Sequence, residues 1–239
     1  MKKENINLII DGKRSDGRKL DEIRDIKIEL GIIPLANGSA KFSFGNTIAI
    51  ASVYGARELQ PKFLQEEKAI TRVRYNMAAF STDTRKNPGM DRRSIEISKV
   101  LKDAIENSIF LEEYPRATID CYVEVISSDG STRVTSLNAI SLSLAMAGIS
   151  MKDLIVALTA GKIDGKIVLD LNQLEDNNGD ADISFGYLFA TDEIVLLQMD
   201  GNLTKDEFLK ALNMLKEKAK IVYEKQRDAI KKYFEKNDQ

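Results

Sequence analysis

The stretch EDNNGDAD, residues 175–182, sets four carboxylates and a glycine side by side in a chain whose net charge is only −2. Asp176 and Asp182 are its candidates for acid–base or metal chemistry. An EF-hand loop does not fit: with Asp176, Asn178 and Gly179 at its third, fifth and sixth positions, the first would be Leu174 and the twelfth Phe185. The flanking stretches alternate as strands, with Ile167, Leu169 and Leu171 on one face and Ala181, Ile183 and Phe185 on another. That holds Asp176 in a loop and places Asp182 at the mouth of a strand. A divalent cation between them would relieve their repulsion, and magnesium suits such oxygen ligands. A plain solvated turn is the competing reading.

Three further segments carry anion-seeking chemistry. In SSDGSTRVTSLN a strand runs into Asp129, Gly130, Ser131, Thr132 and Arg133 and then a helix. Such a junction offers backbone N–H groups, hydroxyls and a guanidinium at the positive end of a helix dipole, the parts of a phosphate site. It lacks the Walker pattern, and Thr132 as a simple helix cap is the alternative. In MDRRSIEIS, Arg92 and Arg93 open a helix, where cations are disfavoured unless an anion is recruited; pairing with Asp91 and Glu96 is the alternative. Residues 57–93 hold nine Lys/Arg against five Asp/Glu. Within them RVRYN puts Arg72 and Arg74 on one face if extended, beside Tyr75, which could stack on a base. Arginine with an interleaved aromatic is a single-strand-binding composition, to be weighed against a solvated loop.

The elements that must position these residues are legible in outline. Residues 25–33, 39–44 and 47–54 read as an antiparallel meander punctuated by Asn37-Gly38 and Gly45-Asn46. Residues 56–90 give few structural signals. A helix follows over 91–109 with Asp91 as N-cap. Then come a strand in ATIDCYVEVISS, a buried helix of small residues ending at Gly148, and strands near 154–162, 166–172, 181–189 and 193–199. A charged amphipathic helix runs from about Thr204. The fold class is α+β with hairpin-rich sheets, a single domain with lobes of about 11–150 and 151–239.

Composition narrows the chemistry. The chain has 239 residues, 43% hydrophobic, with no histidine and one cysteine. Ser-His-Asp and Cys-His catalysis and structural zinc are excluded. Cys121 reads as core. The absence of an apolar run long enough to span a bilayer, of a secretory signal and of a disulfide framework sets a cytoplasmic location, with no membrane association, as the expectation.

Five segments in order, DGKRSDGRKLDEIR, RVRYNMAAFSTDTRKN, RRSIEISKVLKDAIE, DGSTRVTSLNAISLSLAMAGI and LDLNQLEDNNGDAD, resemble the ribonuclease PH superfamily and, within it, the archaeal exosome exonucleases. The resemblance implies a ribonuclease PH fold and 3′-to-5′ phosphorolysis of RNA, with inorganic phosphate as co-substrate, nucleoside diphosphates as products and tail addition in reverse. It implies that Arg93, Thr132 and Arg133, with Ser131 beside them, bind phosphate, and that Arg92 engages phosphate or RNA. Asp176 would protonate the leaving 3′-oxygen, directly or through a metal-bound water, with Asp182 as companion ligand of a Mg2+ or Mn2+ ion. Arg57, Arg72 and Arg74, with Tyr75, would hold single-stranded RNA. Implied partners are a related non-catalytic ring subunit in a trimer of heterodimers and RNA-binding cap subunits. The alternatives are a homohexameric ribonuclease PH acting on transfer RNA ends and a silent ring subunit.

Overall fold

Apolar alternation after position 25 builds the first sheet. The computed structural model describes residues 7–58, 67–89 and 91–237; Lys62 and Glu66 of the basic stretch lie outside them. After a short hairpin of β1 (Ile9–Ile10) and β2 (Lys13–Arg14), strands β3 (Ile26–Leu30), β4 (Gly38–Phe44) and β5 (Thr47–Glu58) form the expected meander. Within residues 56–90, where few signals pointed to structure, lies β6 (Ile70–Met77). It pairs in parallel with β7 (Ala117–Ser127), giving the order β3-β4-β5-β7-β6. Its exposed Arg72 and Arg74 alternate with buried Thr71, Tyr75 and Met77, the pattern of a strand solvated on one face.

Helix α1 (Arg92–Glu106) begins where expected, Asp91 accepting the Ser94 N–H at 2.7 Å, but ends at Glu106. Helix α2 (Thr132–Met146) is buried on nearly every side. It lies between the first sheet and a second, antiparallel sheet of order β11-β10-β8-β9, formed by β8 (Val156–Ile163), β9 (Lys166–Leu169), β10 (Ala181–Leu188) and β11 (Glu193–Gly201). Its serines and alanines let both sheets approach. Several of its buried polar groups are paired inside: Thr135 Oγ1 donates to Ser131 O at 2.9 Å, and Asn138 exchanges hydrogen bonds with both backbone groups of Ala157. Helix α4 (Lys205–Asn237) covers β8, β9 and the edge strand β3. One apolar cluster spans both sheets and includes Cys121, whose thiol burial pushes up to about 12.

The acidic stretch departs from the expected loop. Asn172 and Glu175 form a reciprocal capping box that starts a short helix, α3 (Gln173–Asn178), so Asp176 sits on a helix. Leu171 also leaves the face of Ile167 and Leu169. Strand β9 stops at Leu169, Asp170 takes φ of 53°, and Leu171 turns into a small cluster with Leu8, Ile163 and Val168.

Beneath α3 runs a buried ionic network. Arg14, from the N-terminal hairpin, donates from Nε to Glu175 Oε1 at 2.7 Å and from Nη2 to Glu175 Oε2, and it also bonds the carbonyls of Leu169 and Asp170. Arg24 binds Asp170 through two nitrogens, at 2.9 and 2.7 Å, and reaches the Asp129 carbonyl and Thr47. Removing one partner leaves a buried charge unsatisfied. Glu175→Ala is therefore expected to cost about 3–5 kcal/mol. Removing the surface partner Glu29 of Lys41 should cost under about 1 kcal/mol. Urea denaturation of both variants measures the contrast, and equal losses would remove the network from its structural role.

Candidate active site

Two helix N-termini and one acidic helix open onto a single cleft of about 1110 Å³. Its lining includes Arg92, Arg93, Ser131, Thr132, Arg133, Asp176 and Asp182. Seven candidates separated by as many as 90 positions in the chain are thus brought together.

On the cationic side, Arg92 and Arg93 occupy the first two positions of α1 and are exposed. The alternative pairing with Asp91 and Glu96 is not what forms. Asp91 caps α1 and meets Lys86 at 3.3 Å, and Glu96 accepts from Gln198 at 3.0 Å and faces Arg133 at 3.9 Å. The capping bond and Lys86 hold the Asp91 carboxyl down at about 2. Arg133 Nη1 donates to Ser184 Oγ at 3.1 Å, while its Nε is buried with no hydrogen-bond partner among the described residues. Burial and the like charge of Arg93 lower the Arg133 pKa against the opposing pull of Glu96 and Asp182. An anion would supply what this guanidinium lacks.

The start of α2 is left open in the same way. Its N-cap is Ser131, in a left-handed conformation at φ of 56°, and no side chain caps the helix. The Ser131 hydroxyl is already committed, donating to Leu171 O at 2.8 Å and lying 2.7 Å from Thr159 Oγ1, so a ligand can draw only on the Ser131 backbone. Thr132 is the first helical residue, not the cap, and its Oγ1 accepts from Tyr75 at 3.1 Å. Gly130 lets this loop lie on α3: a Cβ there would come 2.6 Å from the Asn172 carbonyl carbon. The Gln173 N–H, at the start of α3, donates to Asp129 Oδ1 at 3.1 Å. Together these fix the acidic helix against the cationic one.

The carboxylates face that charge. Asp176 keeps a side to the cleft, yet the protein around it removes enough water to raise its pKa, against the pull of Arg93, Arg133 and Arg24. Asp182 is raised to about 6, first by burial and then by Asp176, with Arg133 opposing. Glu175 is no part of this set, being consumed by Arg14. Asp200 is an addition that sequence reading missed. It stands opposite Asp182 in the β10–β11 register and lines the cleft. That register passes an irregularity between Gly186 and Tyr187, which the alternation pattern does not reveal. The cleft wall formed by Thr82, Asp83, Thr84, Arg85 and Lys86 was also missed, since it lies in the stretch with few signals.

The proposed RNA contacts are placed elsewhere. Arg72 and Arg74 are exposed on the outer face of the first sheet, level with Asp120 and Tyr122 of β7. Arg57 lies over the Tyr54 ring at 4.8 Å and shares a small pocket with Asp120 and Tyr122. None of the three lines the cleft. Tyr75 is corrected as a base-stacking residue: strand alternation turns it away from Arg72 and Arg74, and it is 0% exposed.

The raised Asp182 pKa fixes the sign of a stability effect. Between the unfolded value of 3.8 and about 6 the folded chain binds more protons than the unfolded chain, so stability falls as pH rises through that window. Above it the ionised carboxylate opposes folding. Asp182→Asn should therefore be more stable than the parent chain at pH 8, by about 1 kcal/mol after solvent screening, with the gain vanishing below pH 4. Denaturation midpoints across pH report this, and a gain that persists at acid pH would assign it another cause.

Comparison with known proteins agrees with this geometry. The family model described as 3′ exoribonuclease family, domain 1, matches residues 22–150, and domain 2 matches residues 153–218. The chain is 54% identical over 235 residues to the Exosome complex component Rrp41 of Pyrococcus abyssi, covering 98% of this chain and 94% of that one. It is 50% identical over 233 residues to the protein of the same name from Pyrobaculum arsenaticum, covering 97% and 95%. The crystal structure of rice Rrp46 superposes with a TM-score of 0.81 at 23% identity, over 90% of this chain and 98% of that one, a likeness of fold. With matched models across both sheets and half its residues shared with these relatives, the chain belongs to the 3′ exoribonuclease family of the ribonuclease PH type.

Proposed function

We propose that this chain is the phosphorolytic 3′-to-5′ exoribonuclease subunit of an archaeal exosome core. The observation that carries the reading is the convergence, in one cleft, of arginines at two helix N-termini, Arg133 with a buried Nε lacking a partner among the described residues, with two carboxylates of raised pKa. Phosphoryl transfer requires positioning and charge stabilisation more than covalent help.

Phosphate is held between Arg93, Arg133, the Thr132 hydroxyl and the open N-terminus of α2, with Arg92 at the rim toward phosphate or the RNA end. Guanidinium charge lets one anion approach another. A phosphate oxygen bonds to the terminal phosphorus as the bond from that phosphorus to the 3′-oxygen of the preceding nucleotide breaks, releasing a nucleoside diphosphate. Asp176, whose pKa burial raises, delivers a proton to the departing 3′-oxygen, directly or through a water beside it. In reverse, its carboxylate accepts a proton from the RNA 3′-hydroxyl and a tail grows.

Asp176 and Asp182 offer oxygen donors only, and their mutual repulsion suits a hard cation. Among the described residues no group of three or more His, Cys, Asp or Glu side chains is arranged to hold a metal. The pair thus fits Mg2+ or Mn2+ held jointly with phosphate and water, not an all-protein cage. Such an ion would supply positive charge beside the leaving oxygen.

Upstream RNA is held by Arg72 and Arg74 on the outer sheet face and by Arg57 near them. The working assembly is a ring with a related non-catalytic subunit, three heterodimers around an RNA channel, with RNA-binding cap subunits on one face, in the cytoplasm. Among the described residues no helix is long and apolar enough to cross a membrane. The name of the archaeal relatives, exosome complex component, supports a multi-subunit assembly over a solitary enzyme.

Reconstituted with its ring partner and given oligoadenylate, the chain should release ADP only when phosphate is present; release without phosphate would overturn phosphorolysis. Asp176→Asn should cut the rate at least about 100-fold while RNA affinity stays within twofold of the parent. Near-normal turnover would remove Asp176 as the acid. Arg72→Ala should weaken RNA binding irrespective of sequence and shallow the salt dependence by about one unit of slope. An unaltered slope would exclude that phosphate contact.

A further inference from the structure

Tyr75, displaced from the role of base platform, sits where the two cationic helices meet. Its backbone N–H donates to Ser98 Oγ at 2.9 Å, and Ser98 Oγ donates to Ser94 O at 2.6 Å, within α1. Its phenolic oxygen lies 3.1 Å from Thr132 Oγ1, at the first residue of α2. One residue of β6, through its backbone N–H and its phenol, therefore ties together the helices whose N-termini face the cleft.

The direction of the phenol–threonine hydrogen bond follows from the surroundings. The phenolic proton has no other acceptor among the described residues, and a buried O–H left without one is costly. Tyr75 donates and Thr132 accepts. Burial raises the Tyr75 pKa, although Thr132, Arg93 and Arg133 act in the opposite sense, so the phenol keeps its proton. Thr132 Oγ1 makes no further bond among the described residues, and Thr132 lines the cleft. With its Tyr75-facing lone pair occupied, the threonine hydroxyl must turn its own proton away from the phenol. Arg93 and Arg133 line the same cleft as this hydroxyl.

We infer that Tyr75 is a positioning residue for phosphate: by donating to Thr132 Oγ1 it fixes that hydroxyl as a hydrogen-bond donor to the anion in the cleft. The inference rests on the proposed phosphate site and adds a buried residue that never touches the ligand. Without the phenolic O–H, the Thr132 hydroxyl is free to rotate, and part of the binding free energy goes into restraining it. Tyr75 also shares β6 with Arg72 and Arg74, so a strand with RNA-facing arginines on one side orients the phosphate donor on the other.

The test compares the parent chain, Tyr75→Phe, Thr132→Val and the double variant, each assembled with the ring partner and supplied with saturating oligoadenylate and varied inorganic phosphate. Tyr75→Phe keeps the buried ring and removes one oxygen. The expected result is a phosphate KM raised about fivefold, the scale of one hydrogen bond, with kcat and the RNA KM within twofold of the parent. Thr132→Val should raise the phosphate KM at least as much, and the double variant should be no worse than Thr132→Val. Calorimetric titration of inorganic phosphate onto the RNA-free assembly should weaken in parallel.

A phosphate KM unchanged in Tyr75→Phe but raised in Thr132→Val would overturn the positioning role and leave the phosphate site standing. A lowered kcat with unchanged phosphate KM would reduce Tyr75 to packing and likewise overturn it. Additive losses in the double variant would show that Tyr75 does not act through Thr132. If Thr132→Val itself left phosphate KM unaltered, the assignment of Thr132 to phosphate would fall, and this inference with it.

Discussion

Arg14 reaches from the N-terminal hairpin into the interior to meet Glu175, and Arg24 reaches beside it to meet Asp170 and the Asp129 carbonyl. These buried contacts set the distance between two elements carrying opposite charge. Glu175 closes the capping box of α3, and Asp176 follows it in the same helix. Asp129 begins the loop that ends at the open start of α2. The carboxylates and arginines of the cleft are aimed at each other because the Arg14–Glu175 and Arg24–Asp170 pairs beneath them are fixed. A buried network of this kind contributes less to net stability than to a single defined arrangement, since each ion gives up hydration to take part. Here that arrangement is the relation of Asp176 to Arg93 and Arg133.

Above those pairs the charges are deliberately unbalanced. Burial and mutual repulsion lift Asp182, burial lifts Asp176, and burial with a like-charged neighbour lowers Arg133. Each ionised group is less stable in the cleft than in water. Phosphate and a cation would relieve both sides together, so their binding free energies reinforce one another. Such tension at a functional site is held by stability elsewhere. In this chain it is held by the single apolar cluster that spans both sheets and encloses α2.

Helix α2 links core and chemistry. Small side chains along it allow two sheets to close over it, and its internal hydroxyl and amide bonds leave few buried polar groups unpaired. Such packing leaves it no freedom to shift, so the N–H groups at its first turn are presented rigidly. Preorganised donors stabilise a developing charge without reorganising when the reaction occurs.

Chain-local chemistry was enough to mark much of this. The absence of histidine confined catalysis to carboxylates, arginines and hydroxyls; turn glycines and alternation located the meander; and DGSTR, MDRRS and EDNNGDAD marked themselves by residue type and position. Those features depend on neighbours within a few residues. Which face Tyr75 occupies relative to the fold, that Glu175 belongs to Arg14 and not to the cleft, that Asp200 stands opposite Asp182, and that the Ser131 hydroxyl is committed to Leu171 were decided by partners from 18 to 161 residues away. Local pattern shows which atoms can bond. Only the close packing of distant segments settles which of those atoms are already bonded, and the ones left over are the ones available for a ligand.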